Sequence, residues 1–190
     1  MKKFAFMHVP KCAGSSLSEI LQTCFKIEEV CPHKLDKSLF GNFNPRQIIN
    51  KEIRDLIILD DEIESVKKYK LLTGHFALDT ILDYDPEIII TILREPRSRI
   101  LSHYFFWRSL PLEVAMSWLP YSVSMYAKTQ SFEEFIGNNK VADQIDNLLC
   151  RQIADQNLIP KERYIREDED ECIIQNCLER INLFQLPRMY

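Results

Sequence analysis

The chain has 190 residues, enough for one domain that buries a sizeable core without metal or disulfide staples. Its 46% hydrophobic and 27% charged residues, with only 4 Gly and 9 Pro, exclude a long disordered or collagen-like stretch, and repeats and low-complexity runs are absent. A formal net charge of −4 argues against a general nucleic-acid or polyanion binder, so any anion site has to be local.

In chain order, the first element expected is a strand from Phe4 to Val9, ended by Pro10. Met1-Lys2-Lys3 followed by Phe4-Ala5-Phe6-Met7 imitates a signal peptide, but His8, Pro10 and Lys11 interrupt it too early for an apolar h-region. No later run approaches the ~18 apolar residues of a membrane span, and a cytoplasmic location is expected. Behind Ser15 and Ser16, Leu17, Ile20, Leu21 and Cys24 recur at helical spacing. Residues 26–46 read as loop, and Gln47 to Leu59 and Glu62 to Lys68 as helical or mixed. Tyr69 to Thr73 fits a brief buried strand that stops at Gly74-His75. The β-branched run Glu87 to Leu93 is the clearest strand and ends at Arg94-Glu95-Pro96. Beyond Pro96, the spacing of Ile100, Leu101, Tyr104, Phe105 and Arg108 predicts a helix. Residues 109–130, with Pro111 and Pro120, read as a loop or irregular insertion. Ser131-Phe132-Glu133-Glu134 has the form of a cap opening a helix to about Ile136, and Val141 to Gln156 reads as another helix. Arg166 to Glu171 is a solvated helix start leading into a last helix over Cys172 to Ile181, and no element is assigned to residues 182–190.

The six cysteines, Cys12, Cys24, Cys31, Cys150, Cys172 and Cys177, form no CxxC pair and no Cys/His spacing suited to tetrahedral zinc. They read as reduced, mostly structural thiols.

Two segments carry chemistry. His8-Val9-Pro10-Lys11-Cys12-Ala13-Gly14-Ser15-Ser16 joins the first strand to the first helix, so backbone N–H groups, the positive helix end and the Lys11 charge can converge on an anion. Walker spacing is absent: Lys11 precedes Gly14, and no early glycine opens the loop. A helix cap without a ligand is the plain alternative. In the second segment, Leu93-Arg94-Glu95-Pro96-Arg97-Ser98-Arg99-Ile100-Leu101-Ser102-His103-Tyr104, Arg94 can grip a phosphate with both guanidinium edges and Ser102 can offer a hydroxyl from the helix. Its alternative is an arginine that caps carbonyls and a merely exposed serine.

Together these segments resemble those of the sulfotransferases that use 3′-phosphoadenosine 5′-phosphosulfate (PAPS), nearest to the carbohydrate branch with the heparan sulfate 2-O- and 6-O-sulfotransferases. There a loop like HVPKCAGSS binds the 5′-phosphosulfate, and a segment like LREPRSRILSHY binds the 3′-phosphate through its arginine and serine. The resemblance therefore implies the first role for Lys11, Gly14, Ser15 and Ser16 and the second for Arg94 and Ser102. Leu72-Thr73-Gly74-His75-Phe76 is similar to the family's Gly-His segment, which implies His75 as general base beside Lys11 as the second catalytic group. Asp146-Asn147-Leu148-Leu149-Cys150-Arg151-Gln152 resembles its later Asn-x-x-x-Arg helix. The likeness covers about residues 4–155 of a single domain over 1–190, with a short or divergent C-terminal part.

What the resemblance implies is a three-layer, P-loop-like α/β fold with a mostly parallel central sheet and a helical C-terminal part. PAPS is the expected cosubstrate, without a metal, and the acceptor a carbohydrate or other hydroxyl-bearing molecule. A physical rule points the same way: in open α/β sheets ligands sit beyond the carboxyl ends of the strands, and Lys11, His75 and Arg94 each follow a predicted strand end. A P-loop-type kinase or NTPase is the competing class, disfavoured by the lysine position and by the lack of a strand-terminal Asp for Mg²⁺. A non-catalytic nucleotide-binding module is the third. Without the family likeness His75 reads as an ordinary polar residue. His8 and His103 are expected to pack or hydrogen-bond. Phe105, Phe106 and Trp107 fit either a core or a stacking role, and Arg97, Arg99 and Arg108 either a basic cleft or a solvated face.

Overall fold

The runs expected as strands come to lie side by side in a computed structural model that describes residues 2–59, 62–161 and 163–182. Phe4–Met7 (β1), Leu35–Asp36 (β2), Ile57–Ile58 (β3), Leu71–Gly74 (β4) and Ile88–Thr91 (β5) are its strands. β4, β1 and β5 form a parallel sheet in that order, with Phe4 opposite both Leu71 and Ile88 and Met7 opposite both Gly74 and Thr91. All three therefore deliver their carboxyl ends to one edge of the molecule. β1, in the centre, is apolar at every position because both faces are covered. Ala5 and Met7 point into the main core, and Phe6 on the opposite face is 1% exposed.

The stretch 26–46, expected as loop, is partly sheet. Cys31 donates to the Leu71 carbonyl (2.8 Å), His75 to Lys34 (2.8 Å) and Asp36 to His75 (3.0 Å), so this chain runs parallel beside β4. β2 then pairs with β3, and 3₁₀ turns at Ile27–Glu29, Lys37–Phe40 and Pro45–Gln47 fill the remainder. Gly74 permits the close approach: a Cβ there would lie 2.7 Å from the Lys34 carbonyl carbon.

The helices are Gly14–Thr23 (α1), Lys51–Asp55 (α2), Ile63–Val66 (α3), Leu78–Tyr84 (α4), Pro96–Ser109 (α5), Leu112–Met116 (α6), Val123–Thr129 (α7), Phe132–Ile136 (α8), Ala142–Ile145 (α9), Leu148–Ile153 (α10) and Glu167–Asn182 (α11). The main core packs β1 and β4 against Leu78, Ile81 and Tyr84 of α4, Ile153 of α10, and Ile173 and Cys177 of α11. A second core joins Tyr104 of α5 to Val123 and Ala127 of α7 and Phe135 of α8. The insertion expected to be irregular thus holds two helices, since α7 has an apolar face to bury on α5.

The single helix expected over Val141 to Gln156 is broken. Asp146 is extended and Asn147 left-handed (φ 44°, ψ 40°), separating α9 from α10. Arg151, 5% exposed, holds this corner: it pairs with Asp143 (3.1 Å) and Asp146 (2.9 Å) and donates to the carbonyls of Pro160 and Arg163. The last helix is continuous, so the solvated stretch from Glu167 is its first turn, while the unassigned residues 183–190 lie outside the described ones.

Candidate functional site

β1 hands the chain to α1 through a loop in which Lys11 and Ala13 both have left-handed backbone (φ 65° and 61°). For residues other than glycine this costs roughly 1–2 kcal/mol and persists only where the surroundings impose it. Alternation of such residues turns successive N–H groups toward one side, the geometry of an anion-binding nest. Ala13 is the N-cap of α1 and has no side-chain oxygen to offer, and the first turn carries no acidic residue. The N–H groups of Gly14, Ser15 and Ser16 are therefore uncapped at the positive end of the helix.

The start of α5 is built the opposite way. Glu95 accepts hydrogen bonds from the N–H groups of Arg97 (3.0 Å) and Ser98 (2.7 Å) and from the Ser98 hydroxyl, which hold its carboxyl at about 2. This helix end is closed by its own side chain, and what the second segment can offer an anion is guanidinium and hydroxyl.

The two segments meet at Lys11. Arg94 donates to the Lys11 carbonyl (3.2 Å), and the Lys11 ammonium lies over the Phe106 ring, 4.2 Å from its centre. Partial burial, and then the neighbouring Arg94, lower the lysine's pKa. Among the described residues neither cation has an acidic partner, so two positive groups stand together beside an uncapped helix end. Ser102 is half-buried one helical turn before Phe106, hence on the face of α5 that meets Lys11. No contact joins it to Arg94. The hydroxyls of Ser15, Ser16 and Ser102 make no side-chain hydrogen bond among the described residues.

His75 directly follows β4. Its Nδ1 lies 2.6 Å from the His8 carbonyl oxygen, which can only accept, so Nδ1 carries the proton and Nε2 is left as a free acceptor. The rings of His8 and His75 lie 4.5 Å apart. Burial lowers the pKa of His75, and burial, His75 and Lys11 lower that of His8 to about 4. Gly14 fits because it lacks a side chain: a Cβ would lie 2.5 Å from His8 Nε2. His8 thereby ties the β1–α1 loop to His75 through the packing of its ring and the hydrogen bond to its carbonyl, the two roles expected of it.

Two hollows flank this junction. A cleft of about 670 Å³ is lined by Cys12, Arg94, Arg97, Leu101, Phe132 and Tyr164, among others. A cavity of about 350 Å³ is lined by His75, His103, Phe106 and Trp107 and by residues of the 3₁₀ turn and of α7. Of the other basic residues, Arg99 is buried and donates to the Ile145 carbonyl (2.8 Å) while also lining the cleft, and Arg108 is bound to the carbonyls of Ala127 and Gln130. His103 is stacked on Trp107 and held neutral by burial. Phe106 and Trp107, assignable either way from sequence, face the cavity, whereas Phe105 is exposed.

This arrangement, with an uncapped helix end and two cations that have no acidic partner among the described residues, lies beyond the carboxyl ends of the parallel strands of an α/β protein, where such folds take their ligands. The chain belongs to the sulfotransferase family, whose model matches residues 1–176, and is thus a transferase of sulfuryl groups rather than a phosphoryl-transfer P-loop enzyme. The match runs past residue 155 into α11. No curated protein and no solved structure matches the chain significantly. Among the described residues no cluster of His, Cys, Asp and Glu could hold a metal ion, and no helix is long and apolar enough to cross a membrane.

Proposed function

We propose that the chain transfers the sulfuryl group of PAPS to an acceptor hydroxyl, in the three-layer, P-loop-like fold that the family likeness implies. The observation that carries this reading is the junction at Lys11, whose carbonyl holds Arg94 of the cleft and whose ammonium rests on Phe106 of the cavity. Donor and acceptor would lie on either side of it.

In this mechanism the open N–H groups of Gly14, Ser15 and Ser16 and the Lys11 ammonium bind the 5′-phosphosulfate, while Arg94 and Ser102 bind the 3′-phosphate. The acceptor hydroxyl gives its proton to Nε2 of His75 as its oxygen attacks sulfur. The bond from sulfur to the 5′-phosphate oxygen breaks, and adenosine 3′,5′-diphosphate leaves. Lys11 and the helix end stabilise the negative charge that builds on the bridging and sulfuryl oxygens, a preorganised electrostatic contribution. The carbohydrate acceptor expected from the likeness is one hydroxyl compound among several, and the cavity wall bears on that choice below.

Thermal stability with adenosine 3′,5′-diphosphate, AMP and ATP tests the proposal, because a ligand that binds only the native state raises its melting temperature. The diphosphate should stabilise most, and Arg94→Ala should erase its advantage. Equal shifts from all three nucleotides in the parent protein would refute a 3′-phosphate site.

A further inference from the structure

We infer that the acceptor is an uncharged, largely apolar alcohol or phenol rather than a charged or many-hydroxyl glycan. This rests on the sulfotransferase reading above and deepens it. The 350 Å³ cavity beside His75 is walled by Leu39, Phe40, Phe106, Trp107, Trp118 and Tyr121, and no residue of its lining is a Lys, Arg, Asp or Glu. Its two histidines, His75 and His103, are held toward the neutral form by burial. An anionic sugar would leave its charge buried there without a counter-ion, at a cost far above that of a neutral group.

Some polar groups of the wall are taken. The Tyr121 hydroxyl bonds the Gln144 side chain, whose amide donates to the Leu39 carbonyl, and the His103 ring faces Arg99. Among the described residues, Nε2 of His75 and the indole N–H groups of Trp107 and Trp118 make no hydrogen bond, and the Ser124 hydroxyl, on a residue 5% exposed, has no partner either. A buried hydroxyl without a partner carries an energetic penalty, and a ligand's polar atom would remove it. The cavity thus offers an acceptor to the reacting hydroxyl and only a few further polar groups, on a wall that is otherwise aromatic and aliphatic. A sugar ring brings several hydroxyls, more than these few groups can pair. Phe106 and Val114 both line the cavity and remain 43% and 42% exposed, so its apolar wall reaches the surface, where Lys11 covers the Phe106 ring.

The test measures radiolabelled sulfuryl transfer from PAPS to 2-naphthol, to cellobiose and to a hyaluronan hexasaccharide, with tryptophan fluorescence reporting 2-naphthol binding in parallel. The expected result is a kcat/KM for 2-naphthol at least tenfold above that for either glycan. Ser124→Leu, which fills the cavity and removes the orphan hydroxyl, should lower 2-naphthol binding and transfer at least tenfold while leaving stabilisation by adenosine 3′,5′-diphosphate unchanged. Should that variant not fold, Ser124→Ala and the fluorescence titration of the parent carry the same comparison, with weakened binding expected. A preference for either glycan, or 2-naphthol transfer indifferent to both Ser124 variants, would overturn the inference and leave the sulfotransferase reading intact. Failure of the diphosphate to stabilise the parent, with no transfer to any acceptor, would overturn both.

Discussion

The state of His75 is decided by a backbone oxygen. Because Nδ1 keeps its proton and donates it in a hydrogen bond to the His8 carbonyl, Nε2 can accept a proton from a hydroxyl without any change of tautomer. Burial lowers the pKa from the ordinary 6.5, so the imidazole stays neutral below that pH, as the proposed base has to be. A base works above its pKa and fails as pH falls through it. The acidic limb of the kcat profile should therefore lie below 6.5, and His75→Ala should cost about 10²–10⁴ in rate with nucleotide binding unchanged. An acidic limb at or above the ordinary histidine value, or a rate indifferent to the substitution, would remove His75 from the mechanism. Gly14 supplies a second test at this scale. A methyl there collides with the His8 ring, so Gly14→Ala should destabilise the protein by about 1–3 kcal/mol in urea unfolding. The same change in a His8→Ala background should cost much less, the coupling expected of two residues in contact.

Among the elements, the two strand-to-helix turns look equivalent in sequence and are not equivalent in space. α1 begins on an alanine and keeps its N–H groups open, whereas α5 begins on Glu95 and closes its own. The corner between α9 and α10 depends on one guanidinium that satisfies two carboxylates and several carbonyls. Removing one member of a buried ion network strands the others, so Arg151→Ala should lower stability by about 3–5 kcal/mol. Arg151→Lys should recover little, because an ammonium cannot span partners arranged around a planar fork. Chemical denaturation of both variants checks this, and full recovery by lysine would show that charge alone suffices.

For the whole molecule, folding has to keep His8, His75 and His103 neutral, all with pKa values below that of an unfolded histidine. Between pH 6.5 and about 4 the unfolded chain then binds more protons than the native one, and stability falls as pH falls. The buried carboxyl of Asp36, raised by burial, works in the opposite sense at the lower end of that range. The melting temperature should drop from pH 7 toward pH 4, most steeply below 6.5. A flat profile would mean that these histidines are solvated.

Local patterns were enough to specify the strand-loop-helix repeats, because β-branched runs, small residues and helical spacing act over a few neighbours. They also brought Lys11, His75 and Arg94 to one side, since parallel strands share one carboxyl edge. Other features arise from contacts distant in the chain. Residues 30–36 have no strand pattern of their own and pair because β4 offers a free edge. Arg99 reads as a cleft or solvated charge until the Ile145 carbonyl takes it, and the partners of Arg151 at Pro160 and Arg163 are likewise set by the fold. His8 is expected to pack or hydrogen-bond, and which partners it takes, Gly14 and His75, is set by chain folding and not by spacing. The cavity that bears on the acceptor is drawn from segments dozens of residues apart, whose apolar side chains carry no local signal of which of them will leave a space between them.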